Sequence, residues 1–240
     1  MNGMGTREPR KEFVNFTRGK FTIKCDPDHP EAKKVTITDD NGNVVKVIYQ
    51  RQYDFIEGRL TDVERVKQEL TVKGKKAQVP FWRFHFDGAM GQIVLSLGYH
   101  SGWAKMILLR LPNIDIKRAF RLDGWAFTDG SSSISVKQEN NPNVDPEKGT
   151  ILRYWIPKES NELPPMIPPA EGGFGDTKWD DKAQLQFLWE YIEKNILPEI
   201  TLIATQGTQQ GMEQYLAPDK EEAVPEQDIT VPDESDDLPF

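Results

Sequence analysis

From Phe13 onward, apolar and polar residues alternate in short runs separated by turn-forming pairs, the pattern of a chain built mostly from strands. Phe13, Phe21 and Ile23 alternate with polar neighbours. Val35 and Ile37 do the same before Asp39-Asp40-Asn41-Gly42-Asn43, and Val44, Val45, Val47 and Ile48 follow. An Asn-Gly pair between two such runs predicts a hairpin. Residues 44–60 predict one long strand or two joined by a bend at Gly58, and Val63 to Val72 continue it or form an amphipathic helix over Asp62 to Leu70. In the run 80–88, Trp82, Phe84 and Phe86 face one way and Arg83 and His85 the other. Ile93, Leu95 and Leu97 supply the partner strand. Ser101 is placed to cap a short helix carrying Trp103, Met106, Ile107 and Leu111, which Pro112 ends. Phe120–Phe127, Ser133–Lys137 and Thr150–Ile156 return to strand, with a turn at Asp129-Gly130. After a proline-rich connection over 157–178, a helix from Asp180 presents Leu185, Leu188, Trp189, Ile192 and Ile196 on one face, with Pro198 as its stop.

Strands, one short helix and more strands predict a mainly β protein, an OB-fold: a five-stranded Greek-key barrel with a helix between strands three and four. A β-sandwich with one crossing helix reads similarly. A C-terminal helix and a disordered acidic tail complete the expected organisation. Residues 1–11 form a flexible arm, 12–200 the domain with its C-terminal helix, and 201–240 the tail.

Charge changes this picture because it is uneven. The whole chain carries −8, yet Thr205 to Phe240 holds ten acidic residues against Lys220, a net −9. The remaining 204 residues, 29 basic against 28 acidic, therefore carry about +1, and acidity does not argue against a nucleic-acid partner. One cysteine, Cys25, rules out a disulfide framework within the chain, and His29, His85 and His100 show no zinc-ligand spacing, so no metal and no cofactor is expected. Met1 to Lys11 has no run suited to a signal peptide and no segment approaches a membrane span, so a cytoplasmic protein is expected.

Single strands are bound without sequence choice by a positive groove with aromatic faces for bases. Candidate residues lie two or four apart on strand faces opposite the expected core: Arg51 and Tyr53, Arg83 and His85, Arg121 and Trp125, Arg153 and Trp155. Tyr49 and Phe55 extend the row of Tyr53, and Lys73, Lys75 and Lys76 sit near a turn. The competing reading buries Trp125 and Trp155 in the core and leaves the lysines as a solvated turn. Carboxylates such as Asp54, Glu57, Asp62, Asp87, Asp115 and Asp123 are plentiful enough for a metal-dependent nuclease or phage recombination enzyme. No phosphate loop or nucleophile elbow ties them together, so the expectation is not an enzyme.

The chain closes on Asp236, Asp237, Leu238, Pro239 and Phe240. Acids, an apolar residue, proline and a final phenylalanine resemble the tip of bacterial and phage single-stranded DNA-binding proteins (SSBs). The run Ile93 to Gly102, Leu111-Pro112-Asn113-Ile114-Asp115 and Trp179-Asp180-Asp181 look like a phage-type group of that family over roughly residues 12–200. The resemblance implies single-stranded DNA binding in replication, recombination or repair in a bacterial cell. It further implies recruitment of replication and repair proteins (helicase, primase, exonuclease) by the tip, whose ring would fill an apolar pocket while its carboxylates meet basic groups. Homo-oligomerisation stays open.

Overall fold

A computed structural model describes residues 11–38, 41–72, 75–89, 91–138, 150–151, 163–164, 166–167 and 180–216. Met1–Ala204 form one compact unit and Thr205–Phe240 a second. The described strands of the first unit form a ten-stranded sheet in the order β10-β9-β8-β5-β6-β7-β1-β2-β4-β3. In chain order these strands are β1 (Glu12–Thr17), β2 (Lys20–Lys24), β3 (Lys33–Thr38), β4 (Val44–Tyr53), β5 (Phe55–Val72), β6 (Lys75–Gly88), β7 (Gly91–Gly98), β8 (Phe120–Ala126), β9 (Ser132–Gln138) and β10 (Thr150–Ile151).

Chain continuity dictates the curl of this sheet. Only Asp54 separates β4 from β5, yet β6, β7, β1 and β2 lie between them in the strand order. In a flat sheet those two strands would stand about 24 Å apart, five spacings of about 4.8 Å, far beyond the reach of one residue. The sheet therefore bends round into a half-barrel. Its closure is visible at the β1–β2 turn, where Arg18 and Gly19 both have positive φ and the turn lies against β8. A Cβ on Gly124 would stand 2.4 Å from the Gly19 carbonyl oxygen, so the close approach requires glycine there. The Gly124 N–H also donates to the Asp54 carbonyl at 2.8 Å, tying the corner to β8.

The interior is filled mainly by residues of β1, β2 and β5 to β9. Trp82, Phe84 and Phe86 are 0–1 % exposed, as their spacing predicts, and meet Val14, Phe21, Leu95, Phe120 and Leu122. Trp82 stacks on Tyr99 at 5.2 Å between ring centroids, with its indole N–H donating to the Tyr99 carbonyl. Helix α1 (Gly102–Leu108) follows β7 and is capped by the Ser101 hydroxyl, which accepts from the Ala104 N–H at 3.1 Å. Asp181 then binds α1 to the C-terminal helices, taking hydrogen bonds from Lys105 and His100. Burial alone would raise the Asp181 carboxyl, and these two partners outweigh it, holding the group below its ordinary value.

Several expectations are corrected. The choice left open at residues 62–70 falls to the strand: they belong to one of 18 residues, because β6 pairs with them throughout. The break falls at Asp54, whereas Gly58 is inside β5 with its backbone against that of Asp87. Val14 and Phe16, not Phe13, face the interior of β1. Pro198 does not stop the last helix: α2 (Lys182–Tyr191) passes through a π-helical segment, Ile192–Ile196, into α3 (Leu197–Leu216). The Leu197 N–H reaches back to the Ile192 carbonyl, and this wider turn accommodates a proline that lacks an N–H. Helix therefore extends past residue 200.

Candidate nucleic-acid interface

Directly paired residues share a sheet face, so the registers assign each candidate a side. On β8, Leu122 is buried opposite Ile56, which sends Arg121, Asp123 and Trp125 to the outer face. Trp125 is 49 % exposed and its indole N–H donates to the Ser135 hydroxyl at 2.8 Å, so the ring lies on the surface and not in the core. The Lys137 ammonium sits 5.9 Å from the centre of that ring. One strand over, Phe55 is 42 % exposed, with the Arg121 guanidinium 3.6 Å above it. Two aromatic faces flanked by two cations thus lie across β5, β8 and β9.

Those cations are already engaged. Arg121 is 8 % exposed and bonds Asp123 through its Nε at 2.8 Å, while Lys137 approaches the same carboxylate at 3.0 Å. Arg121 is accordingly a support for the Phe55 ring and for Asp123 rather than a side chain open to phosphates.

Arg83 and His85 also occupy the outer face, because Phe84 and Phe86 take the inner one. Arg83 stands over the half-exposed Phe13 ring at 5.7 Å and near Glu64 at 3.9 Å, and His85 Nε2 is 3.4 Å from the same carboxylate. Carboxylates are interleaved with this pair, unlike the bare basic and aromatic surface expected.

Arg51 and Tyr53 do not join them. Tyr53 pairs with Phe21 and Arg51 with Ile23, both buried residues of the inner face. The corner at Asp54 reverses the alternation, so Phe55 leaves the row of Tyr53 and points outward. Arg51 is bound to Glu12, and burial pushes the Tyr53 phenol upward, with Arg51 opposing. Tyr53 lines a cavity of about 480 Å³ with Val14, Ile23, Ile56, Glu57 and Asp87 at the mouth of the half-barrel. Its volume is that of a small-ligand site.

Compared with protein-family models, curated proteins and solved structures, the chain gives no match. No helix among the described residues is long and apolar enough to cross a membrane. Arg153, Trp155, Lys73 and the tip Asp236 to Phe240 lie outside the described residues.

Sequence reasoning passed over Lys137 and misassigned Phe55. The first was signalled by period two in β9, where Ile134 and Val136 point inward and Ser133, Ser135 and Lys137 outward. The second depended on the corner, which leaves no glycine or proline as a mark.

Proposed function

We propose that the protein binds single-stranded DNA without sequence choice, in replication, recombination or repair, and draws partner proteins to it through its acidic C-terminal tip. The observation that carries this reading is the outward pair of rings, Trp125 and Phe55, flanked by Lys137 and Arg121 on a curled β surface. Base stacking on such rings is worth about 1–3 kcal/mol per base and is indifferent to sequence.

The reading extends to an OB-type barrel. β5 pairs at its start with β8 and over its remaining length with β6, β6 pairs with β7, and β8 with β9. Helix α1 falls between β7 and β8, the third and fourth strands of that set. One departure is that β7 takes its parallel partner from the N-terminal β1. In OB-folds the second and third strands often carry the ligand, and here that surface is the outer face of Arg83 and His85.

Because Arg121, Lys137 and Arg83 each have a carboxylate nearby, the electrostatic share of binding is modest and stacking supplies more of it. A gel-shift titration with labelled oligo-dT and the matching duplex tests the proposal. Preference for the single strand, with affinity falling by a log-log slope of about −0.7 per phosphate contact, is expected. Duplex preference, or no binding to either, refutes it.

A further inference from the structure

On the outer face of the β5–β6 ladder, ligand atoms of Asp62, Glu64 and His85 all lie within 4.8 Å of one another. A fault in the ladder brings them together. Leu60 pairs with Phe86, and a regular register would then set Asp62 opposite Phe84, driving a carboxylate into the core. Instead the register shifts between Leu60 and Asp62, Thr61 is the extra residue, and Asp62 lands opposite His85. Bulges of this kind re-aim side chains and are over-represented beside functional sites.

The imidazole supplies an independent sign. His85 Nε2 is shielded from solvent and has no hydrogen-bond partner. Its neighbour, Glu64 Oε2, is 3.4 Å away and does not complete a hydrogen bond. Two ligands about 2.1 Å from a tetrahedral Zn²⁺ stand about 3.4 Å from each other, so the spacing suits two groups sharing an ion.

We propose that Asp62, Glu64 and His85 form a binding site for a first-row divalent cation of the Zn²⁺ type, clamping β5 to β6 at the bulge. An imidazole with two carboxylates favours such an ion over Mg²⁺ or Ca²⁺, which take oxygen ligands. A small pocket lined by Lys11, Thr61 and Gln92 adjoins the three ligands and gives water access to a fourth coordination position. The Arg83 guanidinium, 3.9 Å from Glu64, limits the affinity by competing for that carboxylate. This proposal is independent of DNA binding.

Isothermal titration of the full chain with ZnCl₂ at about pH 7.5 tests it. One saturable site is expected. Altering groups that merely orient metal ligands costs about 10–100-fold in affinity, so Asp62→Asn, Glu64→Gln and His85→Gln should each weaken binding at least ~10-fold. Zn²⁺ at about 100-fold excess over Kd should raise the parent's Tm by about 5–10 °C. His100→Gln, at the other histidine–carboxylate contact, should leave binding unchanged. Circular dichroism checks that each variant is folded. If His85→Gln fails to fold, the near-isosteric carboxamide variants decide. Absence of a saturable site, binding that survives the Asp62 and Glu64 changes, or binding lost with His100→Gln overturns the proposal.

Discussion

Substituting Gly124 by alanine isolates the contact that closes the half-barrel. The added Cβ would lie 2.4 Å from the Gly19 carbonyl oxygen and 2.8 Å from a ring carbon of Phe16. Neither neighbour yields easily. Phe16 is 4 % exposed, and the Gly19 turn already lies close on the β8 backbone, since a Cβ on Gly19 would meet the Ala126 nitrogen at 2.6 Å. Overpacking costs about 1–3 kcal/mol, and an obstacle made of backbone belongs at the upper end of that range. For a domain of this size, about 3 kcal/mol lowers Tm by about 6–12 °C. Gly102→Ala is the control, because nothing lies within 4 Å of its added Cβ and the residue opens α1. That change should be neutral or raise stability by up to about 1 kcal/mol. Scanning calorimetry of the three proteins suffices. A Gly124→Ala protein melting within about 2 °C of the parent would show that the β1–β2 turn does not rest on β8.

Three other outcomes are expected. Trp125→Ala and Phe55→Ala should each weaken oligo-dT binding roughly 5- to 150-fold, the equivalent of about 1–3 kcal/mol of stacking, while the parent's tryptophan emission is quenched by the oligonucleotide. Unchanged affinity in both variants removes this face from the interface. The Asp181 carboxyl titrates lower in the folded protein than in the unfolded chain, so it contributes stability above about pH 4 that is lost as pH falls through the folded value. Asp181→Asn should therefore be less stable than the parent at neutral pH, by a margin that narrows below about pH 4; denaturant melts giving a constant margin contradict this. Deleting Asp233 to Phe240 should abolish capture of replication proteins in pull-downs and leave oligo-dT affinity intact or slightly tighter, because polyanionic chain has been removed; equal capture by both proteins refutes the role of the tip.

Local chemistry was legible wherever the chain itself decides the outcome. Asn41-Gly42 joins β3 to β4 with Gly42 at positive φ, the alternation of Trp82, Phe84 and Phe86 gives the buried row, and Ser101 caps α1. What escaped depends on closure. A corner of one residue at Asp54 resets the alternation and parts Arg51 and Tyr53 from Arg83 and His85. The bulge at Thr61 is equally silent, since threonine suits a regular strand as well. Pro198 misled because a π turn absorbed it. Arg121 could have been read better: Asp123, two positions along the same strand, is the partner that removes its charge from use.

The seating of the β1–β2 turn on β8 also sets an order of events during synthesis. β1 finds its parallel partner only in β7, and the turn at Gly19 finds its seat only when Gly124 has been made. At about 5–20 residues per second, the roughly hundred further residues up to Gly124 take about 5–20 s, during which the turn at Gly19 waits for its seat. Pairings so distant along the chain also slow refolding from denaturant.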